Sequence, residues 1–144
     1  NVLAALDRHP GDSIVVDFGT ATTFDCVTAD RRFIGGSIMP GLRTSAEQLV
    51  RKAAKLTATE LVPPTRAIGR RTDEHIRGGV LFGTADAVDG MIRRIRAEWP
   101  TTATPQVIAT GGLATLISGY SDAIGVVDDR LTLDGLRIIW QLQQ

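Results

Sequence analysis

The sequence lacks the features that mark secreted, membrane-spanning and strongly nucleic-acid-binding proteins. Its one cysteine, Cys26, cannot form an internal disulfide, and no secretory signal pattern is present near its start. Its basic and acidic residues number 16 each, so no net charge attracts a nucleic acid or an anionic membrane. No apolar run approaches the roughly 20 residues that cross a bilayer. The expectation is a cytoplasmic protein without nucleic-acid or membrane partners.

What the sequence does contain is enough apolar material for one core. The chain has 144 residues, of which 43% are hydrophobic and 22% charged, as in a folded domain. We therefore expect residues 1–144 to form a single domain. The segment Asn1–Arg8 has the pattern of a helix already under way, with no initiator methionine and no capping sequence before it. We expect this segment to come from the interior of a longer protein.

Three short runs predict consecutive antiparallel strands. Ile14–Val16 is continuously apolar, as in a strand buried on both faces. Gly19–Thr22 predicts a turn, and Phe24–Thr28 predicts the returning strand. Arg32–Ile38 predicts a third strand, in which Gly35-Gly36 indicates a bulge or a close backbone approach. Three such strands form a meander.

The remainder of the chain predicts helices that alternate with two further strands. In order, these are a helix capped by Ser45, a long helix from Ile76 to Ile95 interrupted near Gly83, a strand at Gln106–Ala109, a helix at Leu113–Ser118, a strand at Ala123–Val127, and a closing helix with Leu133, Leu136 and Trp140 on its apolar face. The α/β order resembles one ribonuclease-H-like lobe of the sugar-kinase and actin superfamily. That resemblance implies a mixed sheet with an antiparallel three-stranded meander and flanking helices.

The first candidate motif runs from Asp17 to Thr23. A hairpin turn with Gly19 exposes backbone N–H groups that can bind phosphate oxygens, and the hydroxyls of Thr20, Thr22 or Thr23 can add donors. Because a carboxylate repels phosphate, Asp17 makes sense as the ligand of a cation that neutralises phosphate charge. An ordinary hairpin with a capping carboxylate is the alternative.

The second candidate motif is Ala109–Leu113, which follows an apolar strand. Gly111 and Gly112 lie between that strand and a predicted helix, where a flat ligand or a pyrophosphate can approach the backbone. A tight strand-to-helix turn that needs a positive φ is the alternative. The hairpin and the glycine pair together are typical of a nucleotide-binding lobe in two-lobed kinases.

Five motifs resemble the type III pantothenate kinase family. The run Val15–Thr23 is similar to a signature of that family, and the other four follow in the same order and with similar spacing. They are Gly35–Leu42, Ile68-Gly69 through Thr72, Ala109–Gly112 and Leu131–Leu136. The resemblance extends over essentially the whole chain, and it implies that residues 1–144 are the C-terminal lobe of a two-lobed kinase whose N-terminal lobe is absent from this chain. It implies ATP-dependent phosphorylation of pantothenate to 4'-phosphopantothenate, the first step of coenzyme A biosynthesis, by a homodimeric transferase.

The resemblance also implies roles for individual residues in binding ATP and metals. Asp17 would bind a monovalent cation, potassium or ammonium, and Mg²⁺ would accompany the nucleotide. Thr20, with Gly19 beside it, would contact the phosphates of ATP. Gly111 and Gly112 would lie near the adenosine.

On the substrate side, the resemblance implies that Thr72 contacts pantothenate in a pocket shared by two subunits. Arg71 stands where many relatives have asparagine, and either Arg70 or Arg71 is a candidate to bind the carboxylate of pantothenate. The density of glycines in the long helix favours close packing against another element or a partner subunit.

The catalytic step is expected to need residues that this chain does not contain. The family carries its general base in a Gly-Ala-Asp-Arg motif, and the spacing places that Asp a few residues before Asn1. We therefore expect the 144-residue chain alone to be inactive. Two alternatives stay open, namely a non-catalytic relative that acts as a binding or transcription accessory protein, and a separate folding or dimerisation module.

Overall fold

Strand β1 is the centre of the fold because it is apolar on both faces. The computed structural model describes all residues, 1–144. In chain order its strands are β1 (Ser13–Phe18), β2 (Ala21–Val27), β3 (Phe33–Pro40), β4 (Gln106–Thr110) and β5 (Val126–Val127). They form one mixed sheet in the order β3-β2-β1-β4-β5. The β1–β2 and β2–β3 pairs are antiparallel, whereas the β1–β4 and β4–β5 pairs are parallel.

Helices cover both faces of this sheet. They are α1 (Val2–Arg8), α2 (Leu42–Lys52), α3 (Thr72–Ala97), α4 (Ala114–Ser118) and α5 (Leu131–Leu142). The larger core lies beneath α2, α3 and α4 and takes Val16 and Phe18 from β1. The smaller core lies beneath α1 and α5 and takes Val15 from β1 and Ile108 from β4. Successive β1 side chains thus enter different cores, as the alternation of a strand requires.

The predicted element order and fold class are confirmed, including the mixed sheet with its antiparallel meander. The predicted close approach at the glycine pair is also confirmed. A Cβ atom on Gly36 would lie 2.0 Å from the carbonyl oxygen of Phe24. The pairing register of β2 with β3 shifts between Cys26 and Val27, beside that pair. Glycine is therefore required here by the backbone of the neighbouring strand.

Several predicted boundaries were wrong. The helix predicted to be capped by Ser45 begins at Leu42, after Gly41, so Ser45 lies inside it. The long helix α3 continues without interruption past Gly83. It contacts α2 and α4, and this tertiary packing offsets the weak helix propensity of glycine. The last strand, β5, is shorter than the predicted Ala123–Val127.

The predicted apolar face of the closing helix does not face the core. Leu133, Leu136 and Trp140 are 70%, 60% and 66% exposed. The opposite face of α5 is the buried one, and Leu131 and Gly135 pack there beneath α1. Helix α5 has apolar residues on both of its faces. Sequence periodicity detects these apolar faces but does not show which of them packs against the rest of the protein.

None of the five helices combines the length and the apolarity that a membrane crossing requires.

Asp12 joins three segments at the end of the sheet where β1 begins. One carboxylate oxygen accepts a hydrogen bond from the N–H of Ala29 at 2.7 Å. The other accepts from the indole Nε1 of Trp99 at 2.7 Å and from the Thr101 hydroxyl at 2.8 Å. The Trp99 hydrogen bond contributes most to lowering the pKa of Asp12, against the opposing effect of its burial. Because the pKa is lowered on folding, ionised Asp12 stabilises the fold at neutral pH.

We predict that Asp12→Asn lowers the free energy of unfolding by about 1–3 kcal/mol at pH 7, since one of the accepting oxygens becomes a donor. The loss should shrink as the pH falls below about 4, because the Asp12 carboxyl of the unfolded chain then becomes protonated while that of the native protein, whose pKa is lowered, stays ionised to lower pH. Urea unfolding followed by circular dichroism at several pH values measures both effects. Asp129→Asn is the control, because Asp129 is exposed and makes no side-chain hydrogen bond. Equal effects of the two substitutions would contradict the role of Asp12.

Candidate functional site

The turn between β1 and β2 consists of Gly19 and Thr20, and both are exposed. The N–H of Gly19 donates to the carbonyl of Ala21 at 3.1 Å, so this amide is used inside the turn. The N–H and the hydroxyl of Thr20 have no hydrogen-bond partner in the chain. Thr20 therefore supplies the free donors of the hairpin. Gly19 offers no free donor, and its lack of a side chain leaves the turn accessible.

The start of α2 holds this turn in place. The carbonyl of Thr20 accepts hydrogen bonds from the N–H of Gly41 at 3.0 Å and from the Thr44 hydroxyl at 2.8 Å. A Cβ atom on Gly41 would lie 2.3 Å from the same carbonyl oxygen. Only glycine at position 41 permits this approach, which fixes the hairpin against the helix.

The second turn lies directly beside the first. Strand β1 is in parallel register with β4, and Asp17 is paired with Thr110. Gly111 follows with φ +92°, and a Cβ atom there would lie 2.6 Å from Oδ1 of Asp17 and 2.7 Å from the carbonyl oxygen of Phe18. Gly112 is exposed and has open space around it. The two motifs therefore meet at one edge of the sheet.

Both turns line the same cavity, whose volume is about 400 Å³. Its lining residues are Phe18, Gly19, Thr20, Arg43, Thr44, Glu47, Gly112 and Leu113. An adjoining cavity of about 530 Å³ shares Arg43, Glu47 and Leu113 with it and is lined by further apolar residues from α2. No sequence motif pointed to Arg43, Thr44 or Glu47. One sequence signal could have pointed to them. Pro40-Gly41 stands directly before a helical repeat and places the start of α2 beside the hairpin.

Asp17 is half-buried and forms no salt bridge. Its Oδ2 accepts a hydrogen bond from Nδ2 of Asn1 at 2.6 Å. The β2 residue paired with Asp17 is Thr23. Asp25 lies two residues beyond Thr23 on the same strand, so its side chain is on the same face of the sheet as that of Asp17. Burial raises the pKa of Asp25, and the negative charge of Asp17 raises it further.

The donor atoms around Asp17 suit a hard cation. No three histidine, cysteine or acidic side chains converge anywhere in the chain, so no donor set for zinc is present. What the site offers is a single carboxylate with hydroxyl and carbonyl oxygens nearby, a set that suits hard cations. The hydroxyl of Thr110, beside Asp17, is buried and has no hydrogen-bond partner. The residues present therefore fit a potassium or ammonium ion.

The threonines of the hairpin differ in what they can contact. Thr22 is fully buried, with its hydroxyl lacking a partner, and it points into the larger core between Phe18 and Met39. It cannot reach a ligand in the cavity, so its inclusion among the candidate phosphate donors was wrong. Thr20 is the hairpin threonine that lines the cavity.

Thr72 lies apart from this cavity, as the exposed first residue of α3. Arg71 donates two hydrogen bonds to Asp73, at 3.0 Å and 2.7 Å, and Arg77 lies 3.0 Å from the same carboxylate. The hydrogen bonds from Arg71 contribute most to lowering the pKa of Asp73 to about 2. The guanidinium of Arg70 makes no ion pair or hydrogen bond. Of the two candidate arginines, Arg70 is the one that remains free.

Known proteins resemble this chain over its whole length. A family profile described as type III pantothenate kinase matches residues 1–94. A type III pantothenate kinase of Roseiflexus castenholzii is 49% identical over 144 residues, which are 100% of this chain and 56% of that protein. Another, from Desulforapulum autotrophicum, is 47% identical over 140 residues, or 96% of this chain and 53% of that protein. The chain thus spans about half the length of these curated relatives.

A solved structure shares the fold. It is that of a Campylobacter jejuni protein described as belonging to the Baf family of transcriptional activators. The TM-score is 0.63 at 22% identity, and the match covers 98% of this chain and 62% of the other. Likeness at this identity concerns the fold alone.

We predict that Gly111→Ala destabilises the protein by about 2 kcal/mol or more, because a side chain there meets a positive φ and the Asp17 carboxylate. Gly112→Ala is the matched control and should change the free energy of unfolding by less than about 1 kcal/mol, since its Cβ would meet no atom within 4 Å. Urea unfolding of the two variants tests this, and equal losses would refute the close packing at Gly111.

Proposed function

The chain belongs to the type III pantothenate kinase family, and we propose that it forms the nucleotide-binding lobe of an enzyme that transfers the γ-phosphoryl group of ATP to pantothenate. The product would be 4'-phosphopantothenate, formed in the first step of coenzyme A biosynthesis. The reaction would depend on positioning and charge neutralisation, as phosphoryl transfer does in general.

One observation carries this proposal, namely the meeting of the hairpin turn and the glycine turn at a single cavity. The first turn offers the free N–H and hydroxyl of Thr20, and the second offers open backbone at Gly112. Phosphate oxygens accept hydrogen bonds from such donors. The γ-phosphoryl end of ATP would therefore lie at Thr20, and the chain of phosphates would run toward Gly112.

The adjoining cavity would take the nucleoside. Its volume, about 530 Å³, falls within the range of small-molecule sites, and apolar Val50, Leu61 and Leu113 can cover the faces of a base. Arg43 lines both cavities, so its guanidinium would balance phosphate charge where the two cavities join.

Two cations would offset the remaining negative charge. Asp17 would hold a potassium or ammonium ion beside the hairpin, because its carboxylate is not engaged by any arginine or lysine. Mg²⁺ arriving with ATP would supply further charge neutralisation on the phosphates. The role of this chain would be to position the Asp17 carboxylate for the cation. That carboxylate packs closely against the backbone of Gly111, which limits where it can lie.

The acceptor substrate would be bound by groups outside this cavity. We assign Thr72 and the free guanidinium of Arg70 to pantothenate, in a pocket completed by a second copy of the chain. A groove of about 380 Å³ along α3, where Gly79 and Gly83 expose the backbone, supports a homodimer that packs through this helix. The general base would come from the upstream Gly-Ala-Asp-Arg motif of the longer relatives.

We predict that Asp17→Asn in the full-length protein lowers kcat/KM by about 100-fold or more and weakens potassium activation at the same time, because the carboxylate that binds the cation is lost. Steady-state kinetics at several potassium concentrations measures both. Asp86→Asn, an exposed acid on α3, is the control. Undiminished potassium activation in Asp17→Asn would refute the cation role. Nucleotide binding without turnover in the unmutated protein would favour a non-catalytic relative.

We also predict that Arg70→Ala raises the KM for pantothenate about ten-fold or more while leaving kcat nearly unchanged, because a charge-assisted hydrogen bond to the carboxylate is lost. Arg71→Ala is the matched control, since Arg71 is already paired with Asp73. Its KM should rise less than three-fold, about 0.6 kcal/mol or less in binding free energy. A larger effect of Arg71→Ala than of Arg70→Ala would overturn this assignment.

A further inference from the structure

Two threonine hydroxyls are buried in this protein without a hydrogen-bond partner, those of Thr22 and Thr110. Both residues are 0% exposed. Buried polar groups in folded proteins are nearly always paired with protein, with water or with an ion, because leaving one unpaired is costly. Each of these hydroxyls therefore calls for an explanation, and the two sites differ in what surrounds them.

Thr110 lies beside a carboxylate. It is the last residue of β4 and is paired in parallel register with Asp17, the candidate cation ligand. The two side chains are on the same face of the sheet, since Val15 and Ile108, two residues earlier in each strand, share the smaller core. Asp17 leans toward β4, because its Oδ1 is 2.6 Å from where a Cβ atom on Gly111 would be.

The Asp17 carboxylate is itself incompletely satisfied. Its Oδ2 accepts from Asn1, whereas no donor reaches Oδ1. No arginine or lysine forms a salt bridge with it, although the carboxylate of Asp25 shares the same face of the sheet. An unpaired carboxylate oxygen and an unpaired hydroxyl oxygen thus lie on neighbouring strands in a negatively charged environment.

We propose that the hydroxyl of Thr110 is a second protein ligand of the monovalent cation held by Asp17, an inference that rests on the proposed function. A hydroxyl has two lone pairs, so one can face the cation while its proton is donated to a neighbouring acceptor. A cation on the solvent-accessible Oδ1 of Asp17 would also satisfy the buried hydroxyl oxygen of Thr110, which has no partner in the chain. Thr110 is thereby a determinant of cation affinity.

Thr22 provides an internal control for this proposal. It has the same side chain and the same burial, and its hydroxyl also lacks a partner, but it faces the larger core on the other side of the sheet. Its core neighbours on the adjoining strands are Phe18 and Met39, and no carboxylate is placed there by the register. Valine has nearly the same shape as threonine and replaces its hydroxyl with a methyl group, so the same substitution can be made at both sites.

The test is the melting temperature of four proteins, namely wild type, Thr110→Val, Thr22→Val and Asp17→Asn. Calorimetry is carried out in potassium chloride and in tetramethylammonium chloride of equal ionic strength. At potassium about ten times its Kd, a single site raises the melting temperature of a chain of this size by about 3–6 °C. Wild type and Thr22→Val should show this rise, whereas Thr110→Val should lose most of it and Asp17→Asn all of it. The apparent potassium affinity of Thr110→Val should fall about ten-fold or more.

The salt without potassium adds a second criterion. There, Thr110→Val should melt at or above the wild-type temperature, because an unpaired hydroxyl has been replaced by an apolar group. If Thr110 binds only a structural water, Thr110→Val will be equally destabilised in both salts and will keep its potassium response, and the inference is overturned. A potassium response that is lost in Asp17→Asn but kept in Thr110→Val overturns the inference and leaves the proposed function intact. Absence of any response in the wild type removes both the inference and the cation role of Asp17.

Discussion

The pairing of β1 with β2 on one side and β4 on the other determines where every group of the candidate site lies. The antiparallel partner returns through the Gly19-Thr20 turn, and the parallel partner ends level with Asp17. Two segments far apart in the sequence therefore end at one edge of the sheet. A register shift of one residue in β4 would move the Thr110 side chain to the other face and separate it from the carboxylate. The chemistry proposed for this edge depends on that register.

Glycine makes the close approach at this edge possible. At positions 41 and 111 the backbone packs against the hairpin at distances that exclude a side chain. The hairpin is consequently held from both sides by main chain, without the rotamer freedom of intervening side chains. A rigid turn presents its N–H and hydroxyl donors in a fixed direction, which is what preorganised binding of a phosphate group requires.

The strands and the site motifs could be predicted from the sequence because their signals are local. A continuous apolar run at Ile14–Val16, a glycine turn and a glycine pair each specify a short stretch of backbone. The face of α5 could not be predicted, since it carries apolar residues on two sides and only packing against α1 decides between them. The positions of Arg43 and Glu47 at the cavity could not be predicted either, and neither could the lack of an ion pair at Arg70. All three depend on which side chains meet in three dimensions. The same is true of Thr110, whose sequence neighbours do not reveal the missing partner of its hydroxyl.

The two tryptophans of this chain occupy contrasting surroundings. Trp99 packs against the larger core and donates its indole N–H to Asp12, whereas Trp140 is 66% exposed on α5. Indole fluorescence shifts to longer wavelength as the ring becomes more hydrated, so Trp99 is expected to emit at shorter wavelength than Trp140. The protein therefore carries two intrinsic optical reporters, one at the base of the sheet and one on its terminal helix, and each can be followed without a label.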